Sequence, residues 1–126
     1  MLKFPIGDGS MAFYPIAGEL ASFALLAPMG NIDVFARVSE APFALFSLIA
    51  VAAIARRLGL PDGAAVLAAL LYATNPRAFP TAMLSAGNDH ATAFFALAAV
   101  LASLLLGEHA CAGRAVTLGI ALGLLA

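Results

Sequence analysis

The segment from His90 to Glu108 has the sequence HATAFFALAAVLASLLLGE. Its interior, residues 91–107, carries no charged side chain and is rich in Ala and Leu. Both residue types favour an α-helix, and a helix needs roughly 17–25 apolar residues to cross a bilayer. The segment therefore predicts a membrane-spanning helix over residues 90–107.

Further uncharged runs lie on both sides of this segment and are separated by charged residues. They predict spans at about 38–57 and 62–79, and a fourth that begins near residue 114 and is cut off at residue 126. These runs are short for a bilayer, but arginines at their ends, such as Arg56 and Arg57, can extend their charged groups toward lipid headgroups. The resulting pattern is that of a polytopic membrane protein.

The composition excludes several other classes of protein. Of the 126 residues, 63% are hydrophobic and 10% are charged, whereas a soluble domain has about 25% charged residues. A net charge of −1 without a basic cluster argues against a nucleic-acid partner. A single cysteine, Cys111, excludes an internal disulfide framework. We therefore expect the lipid bilayer to be the main partner of the chain.

Residues 12–28 differ from the predicted spans, because Gly18 and Glu19 interrupt an otherwise apolar stretch. Such a segment predicts a short helix at the membrane interface or against the other helices. Residues 60–63 (LPDG) indicate a turn, and Asp62 is a candidate N-cap of the following helix. The fold prediction is all-α, a single membrane region over residues 1–126 with one interfacial helix and about four spans.

The polar segment Asn88-Asp89-His90 is the first candidate site. One interpretation is structural: Asn88 or Asp89 caps the helix that follows, where the helix dipole favours an acid. The other is functional: Asn88 and Asp89 line a polar site at the membrane surface, since ionisable residues at membrane depth usually face a cavity or a partner. His90 beside them could titrate near neutral pH or bind a metal ion.

Glu19 and Arg37 are the other candidates. Glu19 is either a charged residue on the wet side of an interfacial helix or a site carboxylate, with Tyr14 about one turn away. Arg37 is either an anchor at the membrane interface or a ligand for the phosphate of a lipid-linked donor, which suits the guanidinium fork. Arg77 allows the same two interpretations.

The order of four motifs resembles the membrane region of GT-C fold glycosyltransferases that use lipid-linked sugars, the family 39-like enzymes of the protein O-mannosyltransferase and lipid A aminoarabinose transferase type. The motifs are an aromatic-Pro helix start that runs on to a Gly, an Arg before a span, a basic end of that span, and an Asp at the mouth of a later span. They stand here as residues 14–30, 35–38 (FARV), 54–59 (IARRLG) and 87–95 (GNDHATAFF).

The resemblance implies an enzyme of the bacterial inner membrane that transfers a sugar from a polyprenyl-phosphate donor to an acceptor hydroxyl at the external face. It implies that Arg56-Arg57 is cytoplasmic and that Asp89 and Glu19 are external. Asp89, Asn88, Glu19, Tyr14 and Arg37 would contact the substrates. In some relatives a divalent metal assists, and no other cofactor is implied.

The chain departs from this family in its first residues. The family's catalytic base is an acid in the first external loop, after a first span, and residues 1–10 contain Asp8 but no preceding span. We therefore expect the chain to be an internal piece of a larger enzyme, inactive alone, with the base upstream. The alternative is a small non-enzymatic membrane subunit that packs against a larger partner. A transporter is disfavoured because the charges lie at the ends of spans and no repeat is visible.

Overall fold

A computed structural model of the chain describes residues 24, 27–29, 40–75 and 89–125. Every regular element in these ranges is helical, which confirms the all-α prediction for this part of the chain. The elements are a short 3-10 turn at Ala27–Met29 and the helices α1 (Ala41–Arg57), α2 (Asp62–Thr74), α3 (Asp89–Glu108) and α4 (Ala112–Leu125). Most of the predicted interfacial helix 12–28 lies outside the described residues.

The four helices lie within or close to the four predicted spans. α1 begins at residue 41 instead of 38, because Glu40 is its N-cap and Pro42 occupies its first turn, where a missing backbone N–H costs nothing. α2 follows the predicted span 62–79 as far as Thr74, and residues 76–79 lie outside the described ranges. α3 matches the predicted 90–107 within one residue at each end, and α4 begins two residues before the predicted 114.

A glycine in the left-handed region follows the C-cap residue of α1, Leu58. Gly59 has a φ of 88°, which costs glycine little because it has no Cβ. Its N–H donates to the carbonyl of Arg56 at 3.0 Å, and the Leu60 N–H donates to the carbonyl of Ala55 at 3.1 Å. These two bonds form a Schellman motif. Pro61 follows directly and is the N-cap of α2, so α1 and α2 form an antiparallel hairpin.

The prediction that Asp62 caps α2 is wrong. Pro61 is the N-cap residue, and no side chain makes a capping hydrogen bond there. Asp62 is instead the first residue of α2, where an acid is favoured by the helix dipole. Its carboxylate pairs with the Nε of Arg56 at 2.9 Å.

α1 and α3 run parallel and in register. Three of the residue pairs that join them are Glu40 with Ala91, Phe43 with Phe94, and Arg57 with Glu108. Each of these pairs is 51 residues apart in sequence, so the two helices keep one register from end to end. The buried side chains of this pair are mostly small, which lets the helices approach closely. They are Ala44, Ser47, Ala50, Ala55, Ala91, Ala99 and Ala102, with Phe43 as the largest apolar member.

α4 returns along α3. A guanidinium N–H of Arg114 donates to the carbonyl of Leu105 and, at 3.4 Å, to the carbonyl of His109. The arginine therefore caps the C-terminal end of α3, where free carbonyls and the helix dipole favour a cation. α1 contacts α2 and α3, and α3 contacts α4.

Among the described residues, one helical segment, His90–Glu108, is long and apolar enough to cross a membrane by length and composition. Only 22% of its apolar window is buried inside the protein. The core helix of a soluble protein would be mostly buried. α2 and α4 are apolar as well, but they have 13 and 14 residues, fewer than the roughly 17–25 that a crossing needs. The polytopic prediction is therefore not confirmed for the described residues.

Candidate functional site

A buried carboxylate joins the N-terminal ends of α1 and α3. Glu40 is 2% exposed, and its Oε2 accepts a hydrogen bond from the backbone N–H of Ala91 at 3.3 Å. Ala91 is the third residue of α3. The first turn of a helix has backbone N–H groups without intrahelical acceptors, and its dipole favours a negative charge. Glu40 therefore provides an N-terminal cap for α3 from another helix.

His90 is the second buried polar residue at this end. It is 1% exposed and is the second residue of α3, next to the N–H that Glu40 accepts from. One turn further along, the ring of Phe43 lies 6.0 Å from the ring centroids of both Phe94 and Phe95. These rings form an aromatic layer between α1 and α3. A titratable imidazole and a carboxylate therefore lie close to the start of α3, beside an aromatic layer.

The structure includes part of the site that the sequence predicts. It places Asp89 as the first residue of α3, followed by His90, and the side chain of Asp89 lies outside the described part. Asn88, Glu19, Tyr14 and Arg37 also lie outside the described residues, as does Arg77. Their grouping with Asp89 stays a prediction.

The metal hypothesis for His90 stays a prediction as well. Within the described residues, no group of three or more His, Cys, Asp and Glu side chains is placed to hold a metal ion. The Oε2 of Glu40 accepts a hydrogen bond from a backbone N–H of α3, which is a helix-capping contact.

The charged groups of the opposite end form ion pairs. The Nη1 of Arg57 lies 2.6 Å from the Oε2 of Glu108, and the Nε of Arg56 lies 2.9 Å from the Oδ1 of Asp62. All four side chains are more than a third exposed. Arg114 lies at the same end, bonded to the last turn of α3. This end is therefore a surface of exposed ion pairs, and the prediction that Arg56-Arg57 anchors it at the cytoplasmic interface stays a prediction.

An open apolar groove of about 290 Å³ follows the paired helices. Its lining comes from α1, α3 and one residue of α4, and the only polar side chain among the lining residues is Thr117. The hydroxyl of Thr117 donates to the carbonyl of Gly113 in its own helix. The groove therefore offers contact to apolar groups and no group for acid–base chemistry.

Sequence reasoning did not single out Glu40. The sequence places it only in a charged cluster with Asp33 and Arg37. The available signal was local: it is an acid directly before an apolar run that starts with Pro42. Glu40 accepts a hydrogen bond from Ala91, which is 51 residues away in sequence. A single sequence does not show which distant residues are paired.

Comparison with known proteins adds no family to this description. The chain matches no protein-family model, no curated protein and no solved structure at a significant level.

Proposed function

We propose that the chain is a polytopic helical membrane unit, part of an integral-membrane glycosyltransferase that uses a sugar on a polyprenyl phosphate. The observation that carries the membrane part is the distribution of side chains. Large apolar side chains are exposed on all four helices, while the ion pairs lie at one end and the buried Glu40 and His90 lie at the other. The exposed apolar residues include Leu45 and Ile49 on α1, Leu67 and Leu71 on α2, Val100 on α3, and Val116 and Ile120 on α4.

A surface of this kind is costly in water and favourable in lipid. Soluble monomers rarely expose contiguous apolar patches above a few hundred Å², and within a bilayer the same side chains contact acyl chains. α2 and α4 would be about 20 Å long at 1.5 Å per residue, against a hydrocarbon thickness of about 30 Å. Short helices are accommodated by local thinning of the bilayer or by flanking residues that reach the interface. In this proposal α2 and α4 therefore span only with such an adjustment.

The glycosyltransferase part rests on the order of the four motifs in the sequence. In this proposal Asp89 and Glu19 flank the cleft at the external face, together with Asn88 and Tyr14, and Arg37 binds the phosphate of the donor. A base would deprotonate the acceptor hydroxyl, a step worth about 10²–10⁴-fold in rate. The guanidinium of Arg37 would stabilise the charge that develops on the leaving phosphate. Asp89 begins α3 at the end that also carries Glu40, away from Arg56 and Arg57.

Binding of the lipid carrier tests this proposal without knowledge of the sugar. Membranes that contain the full chain are irradiated with a photoreactive undecaprenyl phosphate. We expect labelling that unlabelled undecaprenyl phosphate competes away and phosphatidylglycerol does not. Arg37→Ala should weaken binding about tenfold or more, because hydrogen bonds to a charged partner contribute about 1.5–3 kcal/mol.

The matched control is Arg114→Ala. Arg114 lies at the end away from Asp89 and binds carbonyls of α3, so its loss should leave labelling unchanged. Equal competition by phosphatidylglycerol, or equal labelling of the Arg37→Ala protein, would contradict the proposal. Either result would favour the alternative of a membrane subunit without enzymatic activity.

A further inference from the structure

The buried polar contact between α1 and α3 is the hydrogen bond from the Ala91 N–H to the Glu40 carboxylate, at 3.3 Å. Glu40 is almost fully buried, although burial of a carboxylate is costly unless hydrogen bonds compensate it. As the N-cap residue of α1, it makes no side-chain capping bond to its own helix. Its Oε2 accepts a hydrogen bond from a backbone N–H of α3.

This bond fixes the start of α3 relative to α1. Glu40 holds the third residue of α3, and Asp89 is the first residue of the same turn. Phe43, one turn after Glu40, packs against Phe94 and Phe95, one turn after Ala91. The carboxylate and the ring layer therefore constrain both the height and the rotation of the first turn of α3.

We propose that Glu40 is a positioning residue, which places Asp89 by capping the first turn of α3 from α1. This role rests on the proposed function, in which Asp89 belongs to the donor site. Glu40 itself does not contact the substrates: it acts through the backbone of α3.

The structure offers a matched control in the second polar contact between the same two helices. Arg57 and Glu108 join α1 and α3 at the opposite end, with the same separation of 51 residues. Glu108→Gln removes the charge of this contact and leaves the first turn of α3 untouched. Amide protection or labelling that falls with substitutions of Glu40, and does not fall with Glu108→Gln, therefore depends on the N-terminal turn of α3. It does not depend on the general pairing of the two helices.

The first measurement is amide hydrogen exchange of Ala91, detected by NMR on the full chain in lipid nanodiscs. We expect Glu40→Ala to accelerate exchange about tenfold or more, because a hydrogen bond to a charged acceptor is lost. Glu40→Gln keeps an acceptor oxygen of nearly the same shape and should retain part of the protection. Glu108→Gln should leave the Ala91 rate unchanged. Far-UV circular dichroism of each variant in the same nanodiscs checks that it keeps its helical fold.

The second measurement is labelling of the same variants by photoreactive undecaprenyl phosphate. We expect weaker labelling for Glu40→Ala, partial recovery for Glu40→Gln, and no change for Glu108→Gln. Unchanged exchange at Ala91 in Glu40→Ala overturns the cap itself. Accelerated exchange with unchanged labelling makes Glu40 a structural residue only and overturns its positioning role. If unlabelled undecaprenyl phosphate does not compete with labelling of the unsubstituted protein, the proposed function is overturned. The exchange measurement at Ala91 then still tests the cap by itself.

Discussion

At the scale of single residues, two serines on the paired helices have different hydrogen bonding. The Oγ of Ser103 donates to the carbonyl of Ala99, four residues earlier, at 2.8 Å. The Oγ of Ser47 is fully buried and has no hydrogen-bond partner among the described residues. A buried hydroxyl without a partner costs about 1–3 kcal/mol relative to a satisfied one. Ser47 therefore tests whether this hydroxyl lowers the stability of the helix pair.

We predict that Ser47→Ala leaves the free energy of unfolding unchanged or raises it by about 1 kcal/mol, because it removes a desolvated hydroxyl and keeps a small side chain. SDS titration of the protein in mixed micelles, followed by far-UV circular dichroism, measures this. Ser103→Ala is the control, with an effect within about 0.5 kcal/mol for a helix-surface position. Destabilisation of more than about 1 kcal/mol by Ser47→Ala would mean that the hydroxyl has a partner outside the described residues.

At the scale of elements, the turn between α1 and α2 depends on one residue conformation. Gly59 has a φ of 88°, and a Cβ built there meets nothing within 4 Å. The backbone conformation, and not a lack of space, therefore restricts which residues can replace Gly59. An L-residue in this region costs roughly 1–2 kcal/mol, and Asn is the residue that tolerates it best after Gly.

We predict that Gly59→Ala lowers the free energy of unfolding by about 1 kcal/mol and that Gly59→Asn lowers it less, in the same micelle titration. Gly63→Ala is the matched control, since Gly63 lies in the first turn of α2 and also has nothing within 4 Å of an added Cβ. It should cause no loss, because Ala is the better helix former. Equal losses at the two positions would rule out the conformational explanation.

The sequence predicts elements better than it predicts contacts between them. Uncharged runs mark α1, α3 and α4 within three residues at each described end, because long apolar stretches of Ala and Leu favour a helix strongly. The interhelical bond of Glu40 and the ion pair of Arg57 with Glu108 are not predictable in this way. Both depend on the in-register packing of two helices, and this packing is a property of the tertiary structure.

Asp62 shows how neighbours change a local rule. Its position before an apolar run predicts an N-cap, but Pro61 takes the capping position and Asp62 turns to Arg56 across the hairpin. At the candidate site, too, a neighbouring helix decides how the turn is capped. Asp89 and His90 fall at the start of α3 as the sequence predicts, and the buried partner that caps that turn comes from α1.

At the scale of the whole molecule, the helices alternate in direction within each hairpin, and the charged residues divide between the ends. Arg56, Arg57 and Arg114 lie at one end, and Glu40 and His90 lie at the other. A bundle of this kind in a bilayer would place the first end on one side and the second on the opposite side. Basic residues are equally numerous on the two predicted sides, but Arg56 and Arg57 are adjacent in a short connection, which favours the cytoplasmic side for that end.

The central claim is that the helices cross the membrane, and the single native cysteine provides the most direct test. Cys111 is free and exposed, in the connection between α3 and α4 at the arginine-rich end. The comparison protein is Cys111→Ala with Asn75→Cys, which moves the thiol to an exposed position at the C-terminal end of α2. Each protein is treated with a membrane-impermeant maleimide in right-side-out spheroplasts and in inverted membrane vesicles. We expect Cys111 to react only in inverted vesicles and the cysteine at position 75 only in spheroplasts, whereas reaction of both from the same side would contradict a membrane-crossing bundle.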